Sequence, residues 1–300
     1  MRWTAVVNRG AGRRRSSRDT DRLADALTAR AIEICVTTTA DEGLHAARVA
    51  FSRGYGVLVC GGDGTVRPLA ELAAALDGVL AVVPMGAGND FARALGLDHA
   101  EPLDAVCVLD TGVETRVDLG RACTGDGIPV GFTTVAHSGL DGEVNRWANS
   151  VTRLSGRTLY AVAALRTMAL YRPTAMRITV DDAVWEGDTW MVSVANAPCY
   201  GGGMRIAPTA RLTDGRLEVI VVAGIPRRSV VAEFPRMITG THLGTAGVHH
   251  HSGSRVTIEG PAAQDLYASG ERIGPLPATI TVDAGALRVL VPADSPAAVS

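Results

Sequence analysis

The stretch VLVCGGDGTVRP (57–68) joins an apolar run to a glycine turn and then to a segment of helical character. Its glycines let a backbone approach a ligand closely, and a helix that begins near Thr65 turns its free N–H groups toward the same point. Such turns typically hold phosphate, so the negative charge of Asp63 needs a reason. Asp63 is expected to hold a divalent cation, to cap the helix or to accept a proton from a nucleophile.

The same succession of strand, turn and helix repeats along the first part of the chain. Strands are predicted over 3–8, 32–37, 55–60 and 78–84, and helices over 19–31, 40–54 and 66–76. Continuous apolar strands that alternate with helices are typical of a parallel sheet covered on both faces. Ligands of such sheets bind beyond the carboxyl ends of the strands, where the loops 8–17, 37–43, 61–65 and 84–90 are expected.

A second glycine turn, PMGAGND (84–90), follows the next strand. The amide of Asn89 can donate and accept hydrogen bonds without charge, as nucleotide recognition needs, whereas Asp90 is either functional or only a helix N-cap. Two such turns at consecutive strand ends predict a cleft for a nucleoside triphosphate. All 29 cationic residues are arginine, so this cleft lacks the lysine that P-loop enzymes and protein kinases place on the phosphates.

The composition is that of a globular protein and restricts its partners. Hydrophobic residues make up 47% of the chain and charged residues 20%, and the formal net charge of -2 argues against nucleic-acid binding. The five cysteines form no C-x-x-C pair, and no apolar stretch reaches the roughly 18 residues of a membrane span. These features predict a cytoplasmic protein, at most peripheral to the inner face of the membrane.

After about residue 115 the chain changes to short β-rich runs separated by turn residues, such as GRLEVIVVA (215–223) and SRVTIEG (254–260). This pattern predicts a mostly antiparallel β domain. A helical segment is expected to interrupt it at roughly 141–171. The adjacent histidines 249–251 are expected in an exposed loop, because three consecutive residues of a loop cannot converge on one ion.

Six motifs are spread along nearly the whole chain: VVNRGAG (6–12), CGGDGTV (60–66), PMGAGNDFARALGL (84–97), TVAHSGLDGEVN (134–145), VANAPCYGGGMRIAPTARLTDGRLEV (194–219) and YASGERIGPLP (267–277). In these motifs the chain resembles the diacylglycerol kinase catalytic-domain family, which includes bacterial lipid kinases and the sphingosine and ceramide kinases. NAD kinases and phosphofructokinases also use a G-G-D-G turn, but they lack the G-x-G-N-D-F-A-R and G-G-G-M-x-x-x-P-x-A patterns.

This resemblance implies an α/β nucleotide-binding domain with a Rossmann-like parallel sheet over 1–118, followed by a mostly antiparallel β-sandwich domain for the lipid acceptor over 119–285. A C-terminal strand near 286–300 is expected to return to the first domain. The implied activity transfers the γ-phosphoryl group of ATP, with Mg²⁺, to a hydroxyl of a diacylglycerol-like lipid, at a membrane surface. The alternatives are a kinase for another hydroxylated lipid or secondary metabolite, and a nucleotide-binding regulator with little turnover. The oligomeric state stays open, with a homodimer as one option.

The family's binding residues carry over to matching positions of this chain. For a structural metal in the second domain, the resemblance implicates the Asp214 side chain with carbonyl oxygens of Arg211 and Arg216, a donor set that suits Mg²⁺ or Ca²⁺. From the residues alone, the same segment is a hairpin turn. The implied nucleotide contacts are Asn8, Thr39, Gly61, Gly62, Asp63, Gly64, Thr65, Val66, Arg67, Gly86, Ala87, Gly88 and Asn89.

The chain departs from the family at the position of its acidic D-G-E motif, where Ser269 and Glu271 stand. Serine cannot serve as a carboxylate base. If the missing aspartate is the base in this family, activity is weak or redirected; if Glu271 is the base, the change is tolerated. We expect Glu271 to accept the acceptor's proton, with Ser269 and Asp63 as the other members of the catalytic set.

Two more departures lie in the predicted nucleotide cleft. Ala87 replaces the usual threonine, and the loss of one neutral hydrogen bond costs ~0.5–1.5 kcal/mol, which weakens binding without abolishing it. Arg67 and Pro68 replace a polar and an acidic residue. Together with Ser269, these changes favour a specialised or slow enzyme.

Overall fold

The computed structural model describes residues 1–10, 17–97, 101–144 and 166–298. The chain divides into two compact units. Unit 1 comprises Met1–Leu119, Leu212–Gly215 and Asp283–Ser300, and unit 2 comprises Gly120–Arg211 and Arg216–Val282. Among the described residues, no helix is long and apolar enough to cross a membrane.

Unit 1 is built on a parallel sheet. Its elements follow one another as β1 (Trp3–Asn8), α1 (Ser17–Ala29), β2 (Glu33–Thr37), α2 (Ala40–Ser52), β3 (Gly56–Gly61), α3 (Asp63–Ala75), β4 (Val79–Pro84), α4 (Asp90–Ala94) and α5 (Pro102–Thr111). The sheet order is β15–β4–β3–β1–β2, all neighbours being parallel, and β15 (Ala278–Val291) contributes its C-terminal part through Arg288 and Val289. The prediction of a Rossmann-like α/β domain is confirmed.

The burial of the central strands explains their uniform sequence. Every residue of β3 and β4 is buried, as expected for strands covered by helices on both faces. Helix α2 begins with a capping box, in which the Thr39 hydroxyl accepts the Glu42 N–H and the Glu42 carboxylate accepts the Thr39 N–H. Such caps fix the loops at the carboxyl ends of the strands.

Unit 2 is a mostly antiparallel β structure, which confirms the second half of the fold prediction. Its elements are β5 (Val113–Thr124, which enters the unit at Gly120), β6 (Val130–Phe132), β7 (Val135–Gly139), β8 (Thr174–Val180), β9 (Ala183–Ala195), β10 (Leu217–Ala223), α6 (Arg227–Thr239), β11 (Val248–Gly253), β12 (Arg255–Glu259), β13 (Asp265–Ala268) and β14 (Glu271–Pro275), with the first part of β15. The long strand β9 pairs with β8 through its first half and with β7 and β10 through its second.

The sequence of β10, apolar except for Glu218, follows from burial of both its faces. Leu217, Val219 and Val221 belong to one hydrophobic cluster of the unit. Ile220 and Val222 belong to a second cluster, which also contains Met237 of α6. The sheet therefore has a core on each side, since strands with one exposed face would alternate apolar and polar residues.

Two local predictions need correction or restriction, and one helix was missed. The expectation of an exposed loop at 249–251 is wrong, because these residues lie on β11, where backbone pairing with β10 holds them in a strand. Helix α6 was not predicted, since its apolar residues did not stand out from the surrounding β pattern. Of the helical segment expected at 141–171, residues 141–144 and 166–170 are helical, and 145–165 lie outside the described residues.

Candidate functional site

The two glycine turns of unit 1 lie in direct backbone contact. The Met85 N–H donates to the Gly61 carbonyl oxygen over 2.9 Å. A Cβ atom added at Gly86 would lie 2.5 Å from the Gly62 Cα, and one added at Gly62 would lie 2.9 Å from the Gly86 Cα. Only glycine at both positions allows this approach, because real Cβ atoms do not come so close to backbone. The carboxyl ends of β3 and β4 thus form one continuous glycine surface.

Beside this surface, the first turn of α3 is open. Its N-cap, Gly62, supplies no side-chain hydrogen bond to the helix. A Cβ added at Gly64 would meet nothing within 4 Å. An uncapped helix start with space around it suits an anion, since the first-turn N–H groups and the helix dipole both favour negative charge.

Asp63 links the two turns. Its Oδ1 accepts the Phe91 N–H over 3.1 Å, which ties the start of α3 to the start of α4. Asp63 therefore does not cap α3 itself, because its hydrogen bond reaches the Phe91 N–H at the start of α4. This contact uses one carboxylate oxygen, Oδ1, and the binding of a cation by Asp63 stays a prediction.

The loop 86–90 is held by its own side chains. Asn89, in the left-handed region at φ 55, accepts the Gly86 N–H over 2.7 Å and donates to the Gly86 carbonyl over 2.9 Å. Asp90 is buried and pairs with Arg93 over 3.0 Å. The Asn89 amide thus fixes the loop, and its contact with a nucleotide stays a prediction. Ala87, where the family has a hydroxyl, is exposed.

Asn8 and Thr65 connect a third strand end to the same place. The Asn8 amide donates to the Thr65 hydroxyl over 2.7 Å, while its oxygen accepts the Gly10 N–H. A Cβ at Gly61 would lie 2.7 Å from the Thr65 Cβ. Hydrogen bonds and close backbone contacts therefore connect the ends of β1, β3 and β4. They fix the polar atoms at this edge in position before any ligand binds.

The other residues that were predicted to bind the nucleotide make contacts within the protein. Thr39 caps α2, and hydrogen bonds from the Thr38 amide and hydroxyl and the Thr39 amide lower the pKa of the Glu42 carboxyl. Val66 is 2% exposed and belongs to the core, so only its backbone can meet a ligand. Arg67 lies 3.6 Å from Glu71, one helical turn on. Gly88 accepts a long hydrogen bond from the Arg93 guanidinium.

Asp118 is a polar residue of unit 1 that the sequence analysis did not single out. It is 1% exposed, and its two oxygens accept the N–H groups of Gly215 and Gly285, each over 2.7 Å. Burial raises the pKa of this carboxyl, and the two backbone hydrogen bonds oppose that rise. The signal available in the sequence was an acid inside the otherwise apolar alternation of VDLG (117–120).

The predicted structural metal site stays a prediction. Leu212–Gly215, with Asp214, belong to unit 1, and the flanking Arg211 and Arg216 belong to unit 2. Within the described ranges, no cluster of three or more His, Cys, Asp or Glu side chains is arranged to hold a metal ion. A site built from one carboxylate and backbone carbonyls would not form such a cluster.

In unit 2, the S-G-E segment forms the turn between β13 and β14. Ser269 has φ 47, and the following glycine has φ 84. The Ser269 N–H donates to the Val135 carbonyl over 3.1 Å, and its hydroxyl lies 3.2 Å from the Thr134 hydroxyl. Glu271 opens β14 and is exposed. The turn is therefore anchored through Ser269, and the carboxylate beyond it faces outward.

A buried cluster behind this turn joins three of the sequence motifs. His137 (from 134–145) stacks on Tyr267 (from 267–277), with ring centroids 5.8 Å apart, and lies 5.5 Å from the ring of Tyr200 (from 194–219). The Tyr200 hydroxyl donates to Asp141. Burial lowers the pKa of His137 and raises that of Asp141. These side chains hold β13 against β7, and thereby support the Ser269 turn.

Two family models match this chain, one in each half. The diacylglycerol kinase catalytic domain model matches residues 2–122, and the model described as the YegS C-terminal NAD kinase beta sandwich-like domain matches residues 134–291. The chain is 33% identical over 255 residues to a diacylglycerol kinase of Mycobacterium tuberculosis, covering 84% of this chain and 82% of the relative. It is 28% identical over 249 residues to that of Bacillus subtilis, covering 80% and 79%.

A solved structure extends the likeness to the fold. The crystal structure of a diacylglycerol kinase from Bacillus anthracis str. Sterne superposes with a TM-score of 0.73, covers 98% of each chain and is 19% identical. At that identity the superposition supports the fold alone. With one family model for each half, and close sequence relatives over most of its length, the chain belongs to the diacylglycerol kinase family of lipid kinases.

Proposed function

We propose that this protein transfers the γ-phosphoryl group of ATP to a hydroxyl of a diacylglycerol-like lipid. Family membership makes the protein a lipid kinase with ATP as the phosphoryl donor. The observation that carries the proposal is the contact between the glycine turns of β3 and β4 beside the open first turn of α3. This surface has the backbone donors that phosphates need, and it needs no lysine.

The residues of unit 1 would bind and orient the nucleotide. The turns Gly61 to Arg67 and Gly86 to Asn89 are positioned by the contacts between them, while Asn8 and Thr39 border them at neighbouring strand ends. The N–H groups of Thr65, Val66 and Gly86 already donate within the turns, so the phosphates would meet the remaining amides. Phosphoryl transfer depends on positioning and charge neutralisation more than on covalent chemistry. Backbone amides that are already fixed cost little reorganisation when the phosphates arrive.

The donor set near the turns fits Mg²⁺. Mg²⁺ is usually held by one or two carboxylates together with substrate phosphates. Asp63 supplies a carboxylate that is held at the turn by the Phe91 N–H through one oxygen. When bound, the ion neutralises charge on the transferring phosphoryl group. The second ion of the proposal, at Asp214 with carbonyls of Arg211 and Arg216, would be structural.

The proton of the acceptor hydroxyl goes to Glu271 in this proposal. Ser269 cannot accept it as a carboxylate would, and its hydroxyl lies beside that of Thr134. Glu271 stands on the first residue of β14, directly after the anchored turn. The anchoring fixes the backbone from which the Glu271 side chain extends, and general base catalysis requires its carboxylate to come within hydrogen-bond reach of the acceptor hydroxyl.

Alanine substitutions at Gly86 and Gly64 distinguish an effect on the free energy of unfolding from an effect on ATP binding. Gly86→Ala is expected to lower the free energy of unfolding by about 1–3 kcal/mol, because its Cβ overlaps Gly62 and Asn89. Gly64→Ala is the matched control and is expected to leave stability unchanged or higher, because its Cβ has open space and alanine favours helix. Denaturant unfolding measures both.

Gly64→Ala should nevertheless weaken ATP binding, since its methyl group stands at the open first turn of α3. We expect a loss of roughly tenfold in affinity, or about 1.4 kcal/mol, by titration calorimetry. Unchanged affinity in a folded Gly64→Ala protein would remove the α3 start from the phosphate site.

A lipid panel tests the proposed acceptor. The purified protein is incubated with γ-labelled ATP and diacylglycerol, monoacylglycerol, sphingosine or ceramide, and the lipid products are separated. Labelled product from diacylglycerol supports the proposal, and label only in another lipid moves the acceptor to that class. The third outcome is ATP binding without a phosphorylated product; it is the alternative that Ser269 and Ala87 suggest, and it would make the protein a nucleotide-binding regulator.

The proposal places the reaction at the cytoplasmic face of a membrane, because long-chain diacylglycerols partition into bilayers. A homodimer is compatible with it, and the proposed chemistry does not require one.

A further inference from the structure

Helix α6 of unit 2 presents an apolar stripe to solvent. Val230 and Met237 are buried and hold one side of the helix on the unit. On the other side, Val231 is 47% and Ile238 48% exposed. These two lie seven residues apart, and Ala232 and Pro235 between them are also exposed. At helical spacing Val231, Pro235 and Ile238 (i, i+4 and i+7) lie on one face, and Ala232 lies at its edge.

The start of this helix is fixed beside another exposed apolar residue. The Arg227 guanidinium donates to the carbonyls of Ala169 and Tyr171, over 2.7 and 2.8 Å, and lies 5.9 Å from the Trp190 ring. Leu170, between those two carbonyls, is 63% exposed. Leu170 therefore lies next to the first turn of α6 and extends its apolar stripe.

The charged side chains on α6 and directly after Tyr171 are mostly cationic, while two acids lie nearby: Glu143 acts electrostatically on Tyr171, and the Asp188 carbonyl accepts the Gly224 N–H. Arg228 and Arg172 are exposed beside the first turn of α6 and Leu170. The only acid in the sequence of the helix, Glu233, has a side chain 12% exposed that pairs with Arg236 over 2.9 Å and accepts from Thr245 over 3.1 Å. The α6 surface, defined as Leu170, Arg172, Arg228, Val231, Pro235 and Ile238, is thus apolar with a positive border.

We propose that the α6 surface docks on an anionic phospholipid bilayer. Leu170, Val231 and Ile238 enter the headgroup and acyl boundary, and the arginines meet lipid phosphates, as amphipathic helices with basic borders do. Contiguous apolar residues are seldom left in water without a partner. The inference rests on the proposed function, because an acceptor lipid in a bilayer gives the enzyme a reason to bind there.

Vesicle binding tests the surface directly. The full chain is sedimented with vesicles of phosphatidylcholine alone or mixed with phosphatidylglycerol. We expect binding to the mixed vesicles only, weakened roughly tenfold or more in Val231→Asp/Ile238→Asp and reduced in Arg228→Glu. Val184→Asp, at a site on β9 that is 51% exposed, is the matched control and is expected to bind as the unsubstituted protein.

Three results would overturn the proposal: equal binding to both kinds of vesicle, an equal loss in Val184→Asp, or α6 variants that bind vesicles normally. A change in oligomeric state on Val231→Asp/Ile238→Asp with normal vesicle binding would assign the surface to a second copy of the chain instead. Circular dichroism and unfolding curves establish that each variant is folded.

The lipid dependence of turnover separates this inference from the proposed function. On a short-chain diacylglycerol dissolved as monomers, the α6 variants should keep their kcat/KM, while turnover on vesicles falls with binding. If the unsubstituted protein phosphorylates no acceptor, the proposed function is wrong. The vesicle-binding experiment would still decide whether the α6 surface binds membranes.

Discussion

Replacing Asp63 by asparagine is expected to lower kcat/KM by about 10²–10³-fold, the usual cost of removing one preorganised electrostatic group at a reacting centre. Asparagine has nearly the same shape, and its side-chain oxygen can still accept the Phe91 N–H that now reaches Asp63 Oδ1 over 3.1 Å. The contact between α3 and α4 is therefore kept, while the charge that would hold Mg²⁺ is lost. The effect should appear mainly in kcat, measured with saturating ATP.

The control for this substitution is Asp104→Asn. Asp104 is also an aspartate in the first turn of a helix, α5, and it is exposed. It should leave kcat/KM unchanged and stability within a few tenths of a kcal/mol, as surface substitutions typically do. If Asp63→Asn unfolds no more easily than the unsubstituted protein and still turns over normally, Asp63 is a structural link between the two turns and nothing else.

Glu271→Gln is expected to lower kcat by about 10²–10⁴-fold, the contribution typical of a general base. Glutamine preserves the size of an exposed side chain on the first residue of β14, so the hairpin and its pairing with β7 should persist. The KM for ATP should change little, because the turns proposed to bind the nucleotide belong to unit 1. Steady-state kinetics with each substrate varied in turn measures kcat and the KM for ATP separately.

Ser269→Asp is the companion to that experiment. Aspartate tolerates the left-handed backbone at φ 47 better than most residues, so the variant should fold. With Glu271 as the base, the restored acid should raise kcat by less than about tenfold, since it adds no missing step. A larger gain, together with normal turnover of Glu271→Gln, would transfer the role of the base to position 269.

Much of the fold could be predicted, because unit 1 repeats one local sequence pattern. Each of its central strands is apolar throughout and is followed by a turn and a helix, so β3 and β4 could be located within a residue or two. The prediction of an antiparallel second domain also held, since short β-rich runs between turn residues rarely form anything else. The lipid kinase family was available from the motifs and is confirmed by the comparisons.

The features that escaped prediction depend on contacts between distant parts of the chain. Nothing local in the histidine run 249–251 favours a strand, which exists because β10 pairs with it. The burial of Asp118 becomes intelligible only when Gly215 and Gly285, about 100 and 170 residues away, present their N–H groups to it. The approach of Gly62 to Gly86 likewise follows from parallel pairing of β3 with β4, which brings the two turns to one edge.

Following the labelled phosphate is the most direct test of γ-phosphoryl transfer to the lipid. The purified protein is given Mg²⁺ and diacylglycerol with ATP labelled on either its γ or its α phosphorus, and label in the lipid fraction is counted against time. We expect label from γ-labelled ATP only, and in more than one molecule of lipid per molecule of protein. The rate should fall sharply in Asp63→Asn. ATP binding with no labelled lipid, or the same rate in Asp63→Asn, would contradict this expectation.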